Sequence, residues 1–329
     1  MTSLVIRSAQ DAIAAVPYLL GFHPSRSLVV VGFEGRSRGT CAIRLDLPSS
    51  GEAERVAAVL SGNGFARSLL LGYGPPGEVA EAARPMRTAL AAAGVPVAEA
   101  IRVADGRWWS LTCDDVCCPP EGTPYDISAS AVAAQATFGG HVALADRAEL
   151  VASVQPLDGP ARAAMHHATE RAERRYLARP PSSAENDLAF VLTLLARARD
   201  GSRPTDDEVA WLGLLLTDLR VRDETWSHTD EDPTAADIAF WRDIVRRVDP
   251  ARVPAPASLL AFAAYSAGDG GLANVALRRA LDADPAYSMA VILREVVNAG
   301  IPPSRLRTGT SRPQHLGRAA DGGSRSACG

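Results

Sequence analysis

The sequence predicts an α/β half, a mixed sheet with helices in the order ββαβαββ, followed by an all-helical, partly tetratricopeptide-like C-terminal half. Three observations carry this expectation. Short β-branched runs alternate with helical stretches up to residue 125. After Asp126 no further run reads as a strand, whereas helical periodicity recurs. Near the C-terminus, small residues sit at the offsets of a helical-hairpin repeat.

Taken in order, Asp11 to Leu20 suits a short helix stopped by Gly21, and Phe22-His23-Pro24-Ser25 reads as a turn. Ser27 to Phe33 is an apolar, β-branched run of buried-strand type, and Thr40 to Leu47 alternates. The glycine-bearing stretch Glu34 to Gly39 between them makes a β-hairpin. A helix over about 52–60, a strand over Ser68 to Tyr73 and a helix over about 78–93 follow. Val97 to Val103 and Arg107 to Leu111 flank Asp105-Gly106, the dipeptide of a second hairpin. Helices are then expected at about 128–138, 146–154, 160–178, 186–199, 206–220, 234–247, 257–267, 271–283 and 286–298. These runs divide the chain into an α/β domain over 1–125 and a helical domain over 126–303. The Gly/Ser/Arg-rich stretch over 304–329 reads as a disordered tail. Leu260, Ala261, Ala273, Leu277, Ala280 and Pro285 occupy the positions of one tetratricopeptide-type unit. One unit alone lacks the neighbours that a binding groove needs, so one helical hairpin of the core is the favoured explanation.

Composition narrows the function classes. The hydrophobic share is 47% of 329 residues, ample for a core, and the net charge of −4 supplies no broad basic field for nucleic acid. All 34 basic residues are arginines, the signature of a GC-rich genome. An isolated arginine therefore says less about phosphate here than it would elsewhere. The first 22 residues lack the basic and long apolar segments of a signal peptide, and no run suits a membrane span. Five cysteines, Cys41, Cys113, Cys117, Cys118 and Cys328, cannot pair evenly, which points to a reducing cytoplasm.

Three stretches carry a family resemblance. The first runs from Val16 through Pro17-Tyr18-Leu19-Leu20-Gly21-Phe22-His23-Pro24-Ser25 to Ser27-Leu28-Val29-Val30. The second joins Arg107-Trp108-Trp109-Ser110-Leu111-Thr112-Cys113 to Cys117-Cys118-Pro119-Pro120-Glu121-Gly122-Thr123-Pro124. The third takes in Leu259-Leu260-Ala261-Phe262, Gly268-Asp269-Gly270 and Arg279-Ala280-Leu281-Asp282-Ala283-Asp284-Pro285. Together they resemble the actinobacterial domain of unknown function 4192 family, up to about Pro303. The resemblance implies kinship with cytoplasmic actinobacterial proteins and brings no activity with it.

Each motif has a competing structural explanation. Gly72-Tyr73-Gly74-Pro75-Pro76-Gly77 matches the dinucleotide fingerprint between a strand and a helix, with Glu99 downstream. A pyrophosphate is held by backbone N–H groups, however, and Pro75 and Pro76 have none. The unit also follows a hairpin, so a plain βα turn and no nucleotide cofactor are expected. Gly21 to Ser27 lacks the lysine and following helix of a phosphate loop, although His23, at a strand entrance, can line a cleft. His166 and Glu170 share a helix face at metal-compatible spacing, in a run otherwise dense in Arg and Glu as a solvated face is. Asp230-Glu231-Asp232 lacks the spacing of a calcium loop.

The cysteine cluster is the strongest candidate. Cys113, Cys117 and Cys118 can converge on one zinc or iron ion, with Asp114, Asp115 or His141 as fourth ligand. The same atoms suit a reactive thiolate or a labile disulfide, but a small apolar cluster clamped by prolines is the favoured explanation. Strand alternation sends one of Trp108 and Trp109 to the core and the other to the opposite face. Two function classes remain. The repeat-like array favours a non-enzymatic interaction or regulatory protein that docks a protein partner through its helical half. The rival is an enzyme with a cysteine-based metal or redox site.

Overall fold

A computed structural model of the chain describes residues 6–36, 39–49, 51–113, 118–127, 130–138, 142–180, 183–228 and 233–302. Strand β1 (Ser27–Gly35) lies inside the sheet and is buried on both faces over its first six residues, which is why it reads as a continuous apolar run. It pairs antiparallel with β2 (Cys41–Asp46) on one side and β3 (Phe65–Tyr73) on the other. Helix α2 (Ala53–Gly62) connects β2 to β3, and α3 (Pro76–Ala92) connects β3 to β4 (Val97–Ala104). The β3–β4 pair is parallel, and β5 (Arg107–Ser110) turns back antiparallel on β4. The turn runs through Asp105 and Gly106 at φ 50° and 70°, the left-handed pair that a two-residue hairpin of this kind requires. The order is therefore ββαβαββ, and the sheet order β2-β1-β3-β4-β5-β6 is mixed. The last strand, β6 (Thr123–Pro124), was not expected; its two residues are too short for a periodic signal.

Alternation along the strands sorts the two faces. Leu28, Val30, Leu70 and Ala100 point to α2 and α3 and form one apolar cluster with Val56, Leu60, Met86 and Leu90. Val29, Val31, Leu71, Ile101 and Val103 point the other way, against α1 (Ala9–Leu20). That second cluster runs on without a break into the helical half.

The helical half comprises α4 (Ala131–Phe138), α5 (Arg147–Ala152), α6 (Gly159–Ala178), α7 (Ala184–Arg199), α8 (Asp206–Leu215), α9 (Leu219–Ser227), α10 (Ala235–Arg247), α11 (Pro254–Ser266), α12 (Gly270–Ala283) and α13 (Ser288–Asn298). The expected helix over 206–220 is two helices. Asp218 accepts the Arg220 N–H at 2.8 Å and starts α9 afresh, while Thr217 returns its hydroxyl to the Leu214 carbonyl. Helix α11 is buried at every residue from Pro254 to Ala264, as an all-round apolar sequence must be. Leu260, Ala261, Ala273, Leu277 and Ala280 are all buried in the core that α11 and α12 share. Among the described residues no helix is long and apolar enough to cross a membrane. The tail over 304–329 lies outside the described residues.

Ion pairs stitch the helix ends. Arg247 of α10, whose side chain is 4% exposed, reaches Asp243, Asp206 and the Pro204 carbonyl. Arg203 also pairs with Asp243, and Arg199 of α7 with Asp237 of α10.

Candidate functional site

The turn after α1 organises an open surface depression. Helix α1 ends at Gly21, which adopts φ 79°. Phe22 then forms a parallel bridge with Leu144. Around it the His23 N–H donates to the Leu144 carbonyl at 3.0 Å, and the Leu144 N–H to the Gly21 carbonyl at 2.9 Å. This clamp fixes His23 at the entrance to β1. On the other side, Ala14 and Ala15 of α1 meet Val132 of α4, and these small side chains let the two helices approach closely.

Between them lies an open groove of about 610 Å³, lined by Tyr18, His23, Ile127, Ala133, Ala134, Thr137 and Phe138. The walls are mainly apolar. Thr137 spends its hydroxyl on the Ala133 carbonyl at 2.9 Å, so Tyr18 and His23 supply the groove's polar tips. Phe138 stands 94% exposed at the rim. Of these residues the sequence singled out His23 alone as a cleft candidate. Tyr18, Ile127 and the α4 residues were missed, and the signal that could have found them is Phe138 at the apolar end of a helix before Gly139-Gly140.

The cysteine loop is anchored at both ends. Ser110 Oγ accepts the N–H groups of Thr112 and Cys113 at 3.2 and 3.1 Å. At the far end the Trp109 indole N–H donates to the Pro120 carbonyl at 3.0 Å, and Arg107 donates to the Gly122 carbonyl at 2.8 Å. Trp108 packs toward α1 and the shared core. Trp109, on the opposite face, lies beneath the Arg102 guanidinium at 3.8 Å. Arg102 in turn donates to the Gly74 carbonyl at 3.1 Å, tying this face to the βα turn.

Cys113 and Cys118 are half-buried. Cys117 lies outside the described residues, as do Asp114, Asp115 and His141. Among the described residues no group of three or more His, Cys, Asp or Glu side chains is placed to hold a metal. Cys41 is a different case: burial pushes its thiol up to about 11, so it stays protonated at neutral pH.

Gly122 is fixed by its surroundings. It adopts φ 78°, and a Cβ there would stand 2.4 Å from Trp109 Cε2. Gly122→Ala is expected to lower stability by about 2 kcal/mol from the left-handed backbone and the displaced indole. Thermal melting measures the loss, and faster labelling of Cys118 by a thiol reagent reports release of the loop.

The remaining motifs fall in different settings. Gly72 is required because Val79 of α3 fills the space of its side chain, with Cγ1 at 2.2 Å from an ideal Cβ. That is close strand–helix packing, and α3 starts on Pro76 directly after it. His166 lies 3.4 Å from Glu170 in an exposed pair on α6, while Glu173 is engaged by Arg252 at 2.5 Å. The acidic run Asp230-Glu231-Asp232 lies outside the described residues.

The turn with His23 also carries the first stretch of the family resemblance, and its neighbours carry the third. Gly21 approaches Asp269, and Leu20 approaches Gly271. No curated protein and no solved structure matches the chain. The family model described as Domain of unknown function (DUF4192) matches residues 10–304, which takes in all three stretches, and the chain belongs to that family.

Proposed function

We propose that this chain is a non-enzymatic binding protein of a reducing cytoplasm. It takes an apolar group in the groove between α1 and α4, to which both halves contribute, and its helical half docks a protein partner. The observation that carries this reading is the groove itself. Apolar walls, two polar tips and a fully presented aromatic ring are the composition of a recognition site. Its volume, about 610 Å³, suits a small ligand or one large side chain of a partner.

Titration with the neutral dye N-phenyl-1-naphthylamine tests it. One saturable fluorescent site is expected, weakened about tenfold by Ala134→Trp, which fills the groove from an exposed position. Dye binding that ignores Ala134→Trp and Phe138→Ser would overturn the assignment.

The cysteine loop supports a second reading, an enzyme with a metal or redox site at Cys113, Cys117 and Cys118. Hydrogen bonds hold the loop at both ends and so pre-position Cys113 and Cys118. Metal analysis of untagged protein together with a thiol count tests it. Stoichiometric zinc or iron, with those three thiols protected, supports it. Three titratable thiols and no metal exclude both the metal and the disulfide form.

A further inference from the structure

The opposite side of the Phe22 turn gathers positive charge from three separate elements. Arg44, on edge strand β2, lies with its guanidinium carbon 5.6 Å from the centre of the Phe22 ring and pairs with Asp46. Phe22 is bridged to Leu144, three residues before Arg147 at the start of α5. Helix α5 is seated on α12 where Leu150 meets Gly271. Arg147 and Leu150 are three apart on α5, and Gly271 and Arg278 are seven apart on α12, so each arginine shares the contacting face of its helix. Arg147 and Arg278 lie near enough to Asp46, and Arg278 and Arg44 to Arg147, to act on one another electrostatically.

Three guanidinium groups thus act on one carboxylate, which among the described residues Arg44 alone contacts, at 2.5 Å. Among the described residues neither Arg147 nor Arg278 forms a salt bridge, and the buried Arg44 Nε has no acceptor. The carboxylates next to Arg147 in sequence are occupied. Asp146 caps α5, and Glu149 accepts the Ala145 N–H. Six arginines of the helical half, Arg171, Arg179, Arg197, Arg199, Arg203 and Arg247, each hold a carboxylate at 3.0 Å or closer. An arginine-only composition explains why these cations are arginine and not lysine. It does not explain why three of them are brought together with too little counter-charge.

We propose that Arg44, Arg147 and Arg278 form a binding site for a multiply charged phosphate group on a soluble small molecule. Arg44 supplies the base, with its side chain 15% exposed, and the exposed Arg278 closes the site from α12. Planar guanidinium groups from three directions match the tetrahedral oxygens of a phosphate. Partial burial, and after it repulsion from Arg278 and Arg44, depresses the Arg147 guanidinium, and a bound dianion would offset the repulsion. The site is independent of the groove reading.

Calorimetric titration of the full chain with inorganic pyrophosphate at low salt tests the proposal. Saturable binding is expected, weakened about tenfold by each of Arg147→Gln and Arg278→Gln, and weakened by added salt. Asp46→Asn, which removes the opposing carboxylate, is expected to tighten it several-fold. Arg220→Gln, at an exposed arginine elsewhere, leaves it unchanged. Melting curves check that each variant is folded. Absent binding, or equal losses at Arg220 and Arg278, would overturn the assignment. So would recruitment to phosphatidic acid vesicles without any pyrophosphate binding, because the ligand would then be a lipid surface.

Discussion

Gly271→Ala is expected to destabilise the chain by about 3 kcal/mol, lowering the melting temperature by roughly 5–10 °C, whereas Gly270→Ala next to it costs little or nothing. A side chain at 271 would place its Cβ 2.2 Å from the backbone oxygen of Leu20 and 3.3 Å from Leu150 Cδ2. The oxygen belongs to the last turn of α1 and cannot rotate away. The first turn of α12 must therefore back off from α1, and with it the contact on α5. The usual gain in helix propensity on replacing glycine with alanine, up to about 1 kcal/mol, is too small to offset that displacement. Gly270 has open space where its Cβ would stand, so it tests the same chemistry without the clash. Equal effects at the two positions would show that the approach of α12 to α1 is not close enough to matter. Because the shifted elements carry Arg278 and flank the Phe22 turn, Gly271→Ala should also weaken pyrophosphate binding.

Much of the fold is legible because its boundaries are set by local chemistry. Ser8, Asp146, Ser183, Thr205, Thr234 and Asp269 each cap the start of a helix with a side-chain oxygen, and residues of this type mark helix starts in the sequence itself. The Asp105-Gly106 hairpin follows from the backbone conformation that the dipeptide favours. Where the local signal is ambiguous, the reading slips. Leu219 and Arg220 continue the periodicity of α8, and no glycine or proline marks the break that Asp218 makes.

The candidate sites were less legible because distant contacts assemble them. Tyr18 and His23 meet Ile127 and α4 across more than one hundred residues of chain, and the Phe22–Leu144 pairing beside them leaves no pattern in the sequence. Arg44, Arg147 and Arg278 stand more than one hundred residues apart, each unremarked in an arginine-rich sequence. Trp108 and Trp109 were separable by alternation, but the arginine over Trp109 comes from the neighbouring strand. Gly72 shows the opposite lesson. It belongs to a motif with a famous ligand, and the space it vacates is filled by Val79.

Arg247→Met should cost about 3 kcal/mol at neutral pH, with the loss shrinking as the solution is acidified. Arg247 donates to the Pro204 carbonyl at 2.8 Å, to Asp243 at 2.7 Å and to Asp206 at 2.5 Å, from a side chain that is 4% exposed. Methionine fills much of the volume but leaves a carbonyl and two carboxylates without that donor. Asp243 keeps Arg203, and Asp206 is partly solvated, which holds the loss below that of a fully orphaned charge. The pH dependence follows from the direction of the carboxyl shifts. Burial alone would raise Asp243, but hydrogen bonds from Arg203 and Arg247 outweigh it and hold the group below the usual carboxylate range. Asp237 and Glu208 are lowered in the same way, by Arg199 with Thr234 and by Arg197 with Thr205. A depressed carboxyl contributes stability that is present above its unfolded value of about 4 and is lost as the pH falls through the folded value. The parent chain should therefore lose stability steeply below about pH 4, and Arg247→Met less steeply, because its Asp243 binds a proton more readily. Urea unfolding at neutral pH and at acid pH measures both slopes. Parallel profiles for the two proteins would show that Arg247 does not hold Asp243 ionised.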